Sequence, residues 1–160
     1  MNKEPGIYSA RYAGEDTSYD IKNQMLLDRL QGVPREKRTA RFVCAIAAVV
    51  PGHEPIVVRG TIEGYIGDKP AGENGFAYDP IFYVPDLNCS TAELSPEEKN
   101  ARSHRGNALR AMREELKQYI SYMLHSTTFA QSIQECPRHS CCSPSAKVVE
   151  WSIYESFDCE

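Results

Sequence analysis

The 160-residue sequence predicts a single domain that combines β-strands with helices, and two apolar runs are the first observations behind this prediction. Residues 38–50 are β-rich and almost entirely apolar, as expected for a central strand buried on both faces. Residues 55–66 have the alternation of a second strand, which Gly60 and Gly64 interrupt. A short turn of Pro, Gly, His and Glu joins the runs, which indicates an antiparallel hairpin.

Residues 18–31 predict the first helix. Ser18 is a suitable N-cap, and Gly32 and Pro34 end the pattern. The apolar stripe of this helix is expected to be Ile21, Met25, Leu26 and Leu30.

A second helical region begins after Ser95. Ser95 as N-cap, Pro96 in the first helical position and Glu98 two residues later form a capping box. A basic turn at residues 101–106 is expected to separate this helix from a longer one. The apolar stripe of the longer helix is predicted to be Ala108, Leu109, Met112, Leu116, Ile120 and Met123.

The remaining segments connect these elements. Residues 1–17 have the composition of loop and turn, and residues 67–80 form a Gly/Pro-rich loop. Residues 81–85 predict a short third strand. A weak strand is expected at residues 147–154.

The composition is that of a globular domain and excludes two kinds of partner. The apolar fraction is 41%, the charged fraction 25% and the formal net charge −4. No global basic field for nucleic acid is present. No apolar run approaches the roughly 20 residues of a membrane span. The first residues lack an apolar signal-peptide segment, so a cytoplasmic location is expected.

The last part of the chain differs from the rest and contains most of the cysteines. We predict a boundary near residue 124, with residues 1–124 forming the domain and residues 125–160 a divergent Cys-rich tail that is poorly ordered. Cys44 lies in the first apolar run and is expected to be a small core residue. The tail has residue types that bind zinc or act as thiols, but not the C-x-x-C spacing of a structural zinc site. These residues are Cys136, His139, Cys141 and Cys142.

Three short clusters contain the side chains best suited to chemistry: residues 75–80 (GFAYDP), 97–106 (EEKNARSHRG) and 9–14 (SARYAG). Taken singly, each has an ordinary interpretation: an aromatic core, a solvated helix start and an uninformative loop. Together they provide an aromatic face for a flat base, an aspartate with free oxygens to accept hydrogen bonds, and cations for a polyphosphate. This combination indicates a nucleoside triphosphate site. The sequence contains no Walker A loop, dinucleotide fingerprint, G-x-S-x-G elbow or H-E-x-x-H pair.

These motifs, with RTARFVCAIA at residues 38–47, resemble in order those of the inosine triphosphate pyrophosphatase family, the XTP/dITP diphosphatases. The resemblance covers about residues 4–117. It implies hydrolysis of the purine nucleotides ITP, dITP and XTP to the monophosphate and pyrophosphate with Mg²⁺. The implied fold is α/β, a long mixed β-sheet flanked by helices, with the nucleotide in a central cleft and usually a homodimer.

The resemblance also implies which residues bind the substrate. Phe76 and Asp79 would hold the base, and Tyr78 would support their loop. Ala77 stands where the family usually has glycine, and its methyl group is tolerated if φ is negative there.

The other implied substrate-binding residues come from the two remaining motifs. Lys99 would lie on the base and phosphate side, and His104 and Arg105 would contact the 6-keto edge of the base. Ser9 and Arg11 match a loop that borders the cleft.

Three motifs that the resemblance calls for do not occur in the 160 residues. These are the T-x-N-x-x-K phosphate loop, an acidic metal ligand and the D-D-S-G segment with the catalytic aspartate. We therefore expect a domain truncated at its N-terminus, with neither catalytic nor metal-binding residues of its own and weak or no turnover. The alternative is a non-catalytic nucleotide-binding remnant or interaction module.

Overall fold

The computed structural model describes residues 4–49, 53–125 and 150–159, and they form one sheet with helices packed on it. The α/β class is confirmed, and each strand pairing in these residues is antiparallel. The sheet order is β1-β6-β2-β3-β4-β5. The strands are β1 (Glu4–Gly6), β2 (Thr39–Val49), β3 (Ile56–Ile66), β4 (Phe82–Val84), β5 (Cys89–Ser90) and β6 (Glu150–Cys159). The helices are α1 (Tyr19–Arg29), α2 (Pro96–Arg102) and α3 (His104–His125), with 3-10 turns at Ser9–Arg11, Arg35–Lys37 and Asp79–Ile81.

The predicted hairpin and its central strand are confirmed. β2 pairs with β3 from Thr39 opposite Tyr65 to Ala48 opposite Ile56. The other edge of β2 pairs with β6, so β2 has a neighbour on both sides. Cys44 is a core residue as predicted, with 1% of its surface exposed.

The first helix forms where the sequence predicts it, but its buried face is different. The Ser18 hydroxyl caps it by accepting a hydrogen bond from the Ile21 amide at 3.4 Å. Ile21 and Met25, predicted to be buried, are 54% and 40% exposed. The buried residues of this helix are Lys22, Asn23, Leu26 and Leu27, followed by Leu30 at its C-cap. The prediction was wrong for Ile21 and Met25 because polar residues are buried in their place. Hydrogen bonds satisfy the ammonium group of Lys22 and the amide nitrogen of Asn23, and a hydrophobic pattern cannot reveal such bonds.

The capping box of α2 is confirmed, and the basic turn after it is shorter than predicted. Ser95 Oγ accepts from the Glu98 amide at 3.2 Å, and the Ser95 amide donates to Glu98 Oε2 at 3.1 Å. Only Ser103 separates α2 from α3. Its hydroxyl accepts from the Gly106 amide at 3.1 Å, so the next helix begins at once.

The long helix α3 packs directly on β3. Ala108 and Met112 are buried and Leu116 packs beside them, as the predicted stripe requires. Leu109 and Ile120 are more than half exposed, so the stripe is narrower than predicted. Gly60 of β3 makes the close approach possible, because a Cβ there would clash with the backbone of the first two turns of α3. The sheet therefore sets where α3 begins.

The two ends of the chain add strands that were only partly foreseen. Residues 1–17 were expected to be loop and turn, but they contain β1 and the turn Ser9–Arg11. The weak tail strand expected at residues 147–154 corresponds to β6, which begins and ends later. The division at residue 124 stays a prediction, and the four metal-capable tail residues lie outside the described residues. Among the described helices, none combines the length and apolarity needed to cross a membrane.

Candidate nucleotide-binding site

A pocket of about 260 Å³ lies where the three sequence clusters meet. It is bounded by the loop before β4, the junction of α2 and α3, the turn after β1, and Phe42 of β2. Its lining residues are Ile7, Ser9, Ala10, Tyr19, Phe42, Phe76, Ala77, Tyr78, Asp79, Lys99, Asn100, Ser103, His104 and Arg105. Of the predicted substrate-binding residues, only Arg11 is outside this set. Its guanidinium carbon lies 5.8 Å from the centroid of the Tyr8 ring.

The aromatic loop presents one ring to the pocket and buries the other. Phe76 is 60% exposed, and its ring centroid is 5.4 Å from that of Tyr19. Tyr78 is 2% exposed and packs edge-on against Tyr19. The Tyr78 hydroxyl donates to the Ser9 carbonyl at 2.6 Å, which joins this loop to the turn after β1. Phe76 thus has an exposed ring at the pocket and Tyr78 is buried behind it, and the roles that the resemblance implies for them stay predictions.

Asp79 uses its carboxylate to hold the loop in place. Oδ2 accepts from the Phe76 amide at 2.5 Å and from Lys99 Nζ at 2.6 Å. Oδ1 accepts from the Thr91 hydroxyl at 2.8 Å. Asp79 is only 7% exposed. The aspartate therefore lacks the free oxygens that the sequence analysis assigned to it, and in this structure it is a positioning residue.

Lys99 is tied to the same carboxylate. It lies in the last turn of α2, with 28% of its side chain exposed against 10% for Asp79. A charged pair this deep in the protein is stabilising only when both ions are hydrogen-bonded, and here Asp79 has two further donors. The pair joins the aromatic loop to the α2–α3 junction.

His104 and Arg105 form the opposite wall. His104 is the first residue of α3, is 9% exposed, and stacks on Phe42 with the ring centroids 5.0 Å apart and the planes 16° apart. Arg105 is exposed at the mouth of the pocket. A helix N-terminus carries partial positive charge, which favours an anionic or electron-rich ligand group at this wall.

Ala77 has an unfavourable backbone conformation. Its φ is +59°, so the condition of a negative φ is not met. For a residue with a Cβ this left-handed region costs roughly 1–2 kcal/mol. The Asn23 amide donates to the Ala77 carbonyl at 3.1 Å and helps to hold the loop in this conformation.

Sequence reasoning missed the contribution of α1. Lys22 is 1% exposed; its Nζ donates to the Ala10 carbonyl at 2.6 Å and lies 4.9 Å from the centroid of the Tyr19 ring. Tyr19 in turn contacts both aromatic residues of the loop. The spacing of Tyr19 and Lys22 was a usable signal, because residues three apart share one face of a helix.

Comparison with known proteins places this arrangement in a family. The profile of the Ham1 family matches residues 1–115, which contain every lining residue of the pocket. The chain belongs to the Ham1 family. The resemblance found in the sequence motifs is therefore confirmed at the level of the family.

The chain is similar to curated proteins and to solved structures over about three quarters of its length. It is 50% identical over 120 residues to a dITP/XTP pyrophosphatase of Exiguobacterium sibiricum, which covers 75% of this chain and 61% of that protein. It is 51% identical over 121 residues to the dITP/XTP pyrophosphatase of Geobacillus kaustophilus, covering 75% of this chain and 59% of that one. The structure of the Staphylococcus aureus Ham1 protein aligns with a TM-score of 0.69 at 47% identity, covering 72% of this chain and 59% of that one. The chain thus spans about three fifths of the length of the Ham1 relatives it matches.

Proposed function

We propose that this chain carries the base-recognition part of a nucleoside triphosphate pyrophosphatase that converts ITP, dITP or XTP to the monophosphate and pyrophosphate. The observation that carries the proposal is the convergence of three distant motifs on one pocket. The names of the curated relatives support the same reaction class.

Selection of the base follows from the donors at the helix wall. A 6-keto purine has an acceptor at O6 and a donor at N1, whereas adenine has the reverse pattern. A donor from buried His104 toward O6 would lose its acceptor when adenine binds, which can reject adenine strongly, and exposed Arg105 can add a second donor at the mouth of the pocket. Phe76 would stack on either purine, so stacking gives affinity and the helix wall gives selection.

Hydrolysis needs a metal site and a base, which the described residues do not provide. The described residues contain no group of three or more His, Cys, Asp or Glu side chains suited to a metal ion. Asp79, the carboxylate in the pocket lining, is bound to Phe76, Thr91 and Lys99. These residues do not fit a Mg²⁺ site. We therefore propose weak or no turnover by the 160 residues alone. A cytoplasmic location and a homodimer belong to the same proposal.

Isothermal titration calorimetry with IMP and AMP tests the recognition. We expect IMP to bind the 160-residue chain and AMP to bind at least about tenfold more weakly. Phe76→Ala should weaken IMP binding about fivefold, since stacking on one aromatic ring contributes on the order of 1 kcal/mol. Tyr122→Ala is the matched control, because Tyr122 is another exposed aromatic residue and is not in the pocket. Equal affinity for IMP and AMP would overturn the assignment.

The second candidate is a nucleotide-binding module without catalysis. The observation that favours it is that the carboxylate of Asp79 in the pocket lining is already hydrogen-bonded to Phe76, Thr91 and Lys99. A pyrophosphate-release assay with ITP and Mg²⁺ separates the two: weak turnover that requires Mg²⁺ supports the pyrophosphatase, and nucleotide binding with no turnover at all supports the module. Robust turnover by the purified chain excludes the module and contradicts the proposed loss of activity.

A further inference from the structure

Strand β6 lies between β1 and β2, two strands that belong to the part of the chain matched by the family profile. On one edge it pairs with β1, from Glu4 opposite Cys159 to Gly6 opposite Phe157. On the other edge it pairs with β2, from Ala40 opposite Cys159 to Val49 opposite Glu150. Both neighbours lie within the matched residues 1–115, and β6 does not. The strand between β1 and β2 is therefore supplied by residues outside the matched range 1–115.

β3 and β6, the two long strands that flank β2, are connected to the preceding part of the chain in different ways. Residues 50–55 join β2 to β3, and a connection this short fixes the register of a hairpin. β6 is separated from α3 by the 24 residues 126–149, and the element before it is a helix, so β6 is not joined to a paired strand by a short hairpin connection. Its alignment depends on the ladder to β2 and β1.

Three of the four residues at positions 45–48 of β2 are alanines, and the fourth, Ile46, is opposite Ile153. Ala45, Ala47 and Ala48 are opposite Tyr154, Ser152 and Trp151 in the register. Alanine methyl groups are compatible with most side chains on a paired strand. Main-chain hydrogen bonds therefore supply most of the attraction between β2 and its partner strand, and they select little for the sequence of that partner.

We propose that the edge of β2 turned away from β3 is a strand-acceptor edge, and that its resident strand, residues 150–159, is exchangeable with the same strand of a second copy. The acceptor pairs antiparallel with one extended strand through the main chain. The partner is a second copy of this chain, because it offers the identical strand in the identical register. This inference does not depend on the proposed function.

The strand-acceptor edge is connected to the pocket through β1. β1 is at the edge of the sheet, where β6 is its neighbour. The turn that follows β1 contains Ser9 and Ala10, whose carbonyls accept from Tyr78 and Lys22. Displacement of β6 should therefore loosen residues 4–11 as well as β2.

Cysteine pairs test both the register and the exchange in the full chain. In a background with the six native cysteines replaced by alanine, Ala47→Cys with Ser152→Cys on one chain should form an intramolecular disulfide. Mixing the Ala47→Cys chain with the Ser152→Cys chain should then give a disulfide-linked dimer. The control pairs Ala47→Cys with Ser156→Cys, since Ser156 is opposite Val43 and is about 14 Å out of register.

The dimer from the register pair should exceed the control dimer by about tenfold, because a disulfide requires Cβ atoms roughly 4 Å apart. An intramolecular bond without a mixed dimer would overturn the exchange. Equal yields from the register pair and the control would overturn the register.

Hydrogen exchange of the double variant Ser152→Pro and Ile153→Pro gives a second measurement. Adjacent amides of a strand point to opposite edges, so one of the two prolines removes a donor toward β2. Every second amide of residues 39–49 should exchange about tenfold faster, while the amides bonded to β3 stay protected. A peptide of residues 150–159 should restore the protection. Unchanged exchange in β2, or no recovery with the peptide, would overturn the proposal, and the paired alanine variant is the control.

Discussion

The two walls of the pocket are built in different ways. The loop wall is held by side-chain hydrogen bonds that converge on Asp79, from Phe76, Thr91 and Lys99. The helix wall is placed by the backbone: Gly60 lets α3 lie directly on β3, and Ser103 caps its first turn. One wall therefore depends on a single buried carboxylate and the other on packing. Substitutions in the two walls should therefore change the free energy of unfolding and the affinity for IMP to different extents.

The largest effect is expected from Asp79→Ala, which leaves Lys99 and two further donors without their acceptor. Breaking a buried, hydrogen-bonded ion pair costs about 3 kcal/mol or more of unfolding free energy. Chemical denaturation measures this loss. Lys99→Met should cost less, because Asp79 keeps two donors. A loss below about 1 kcal/mol for Asp79→Ala would show that the carboxylate does not organise the loop.

Gly60→Ala should break the helix wall. The new methyl group would clash with the backbone at His104 and Ala108, so α3 must shift, and overpacking of this kind costs about 2 kcal/mol. IMP binding should weaken as well, because His104 and Arg105 move with the helix. Val57→Ala is the control in the same strand: Val57 is 66% exposed, and its replacement should change stability by less than about 0.5 kcal/mol. Unchanged stability and binding in Gly60→Ala would contradict the close approach.

A smaller effect of opposite sign is expected from Ala77→Gly. Glycine relieves the strain at φ +59°, and the greater freedom of the unfolded chain offsets part of the gain. The net stabilisation should be about 0.5–1 kcal/mol, measured by thermal or chemical unfolding. Ala108→Gly, in the buried face of α3, should destabilise instead, since it loses helix propensity and packing. Destabilisation by Ala77→Gly would mean that the loop is not strained.

The smallest effect on stability is expected at the start of α2, the helix that contains Lys99. Hydrogen bonds from the backbone amide and side chain of Ser95 lower the pKa of Glu98 from its ordinary value of 4.5. A lowered pKa means that the stabilisation is present above pH 4.5 and is lost as the pH falls through the lowered value. The stability difference between wild type and Glu98→Gln should therefore shrink in acid. Parallel stability curves from pH 3 to pH 7 would contradict the role of the capping box.

Features that depend on neighbours within a few residues, or on one periodic pattern, could be predicted from the sequence alone. These are the capping box at Ser95 and Glu98, the apolar central strand at residues 38–50, and the three motifs whose order indicated the family. Short-range hydrogen bonds and strand periodicity are local, so one stretch of sequence contains all of their determinants.

The contacts of the pocket side chains could not be predicted from the sequence, because their partners come from distant parts of the chain. The Asp79 carboxylate is occupied because Thr91 and Lys99 come within hydrogen-bonding distance, and Lys22 can be buried because its ammonium donates a hydrogen bond to the Ala10 carbonyl. The positive φ of Ala77 likewise follows from how its loop closes over the pocket. These partners lie 12 to 20 residues apart in the chain, and β6 reaches β2 from more than 100 residues away. Burial and hydrogen bonding between distant segments depend on how the chain folds back on itself, which no local pattern encodes.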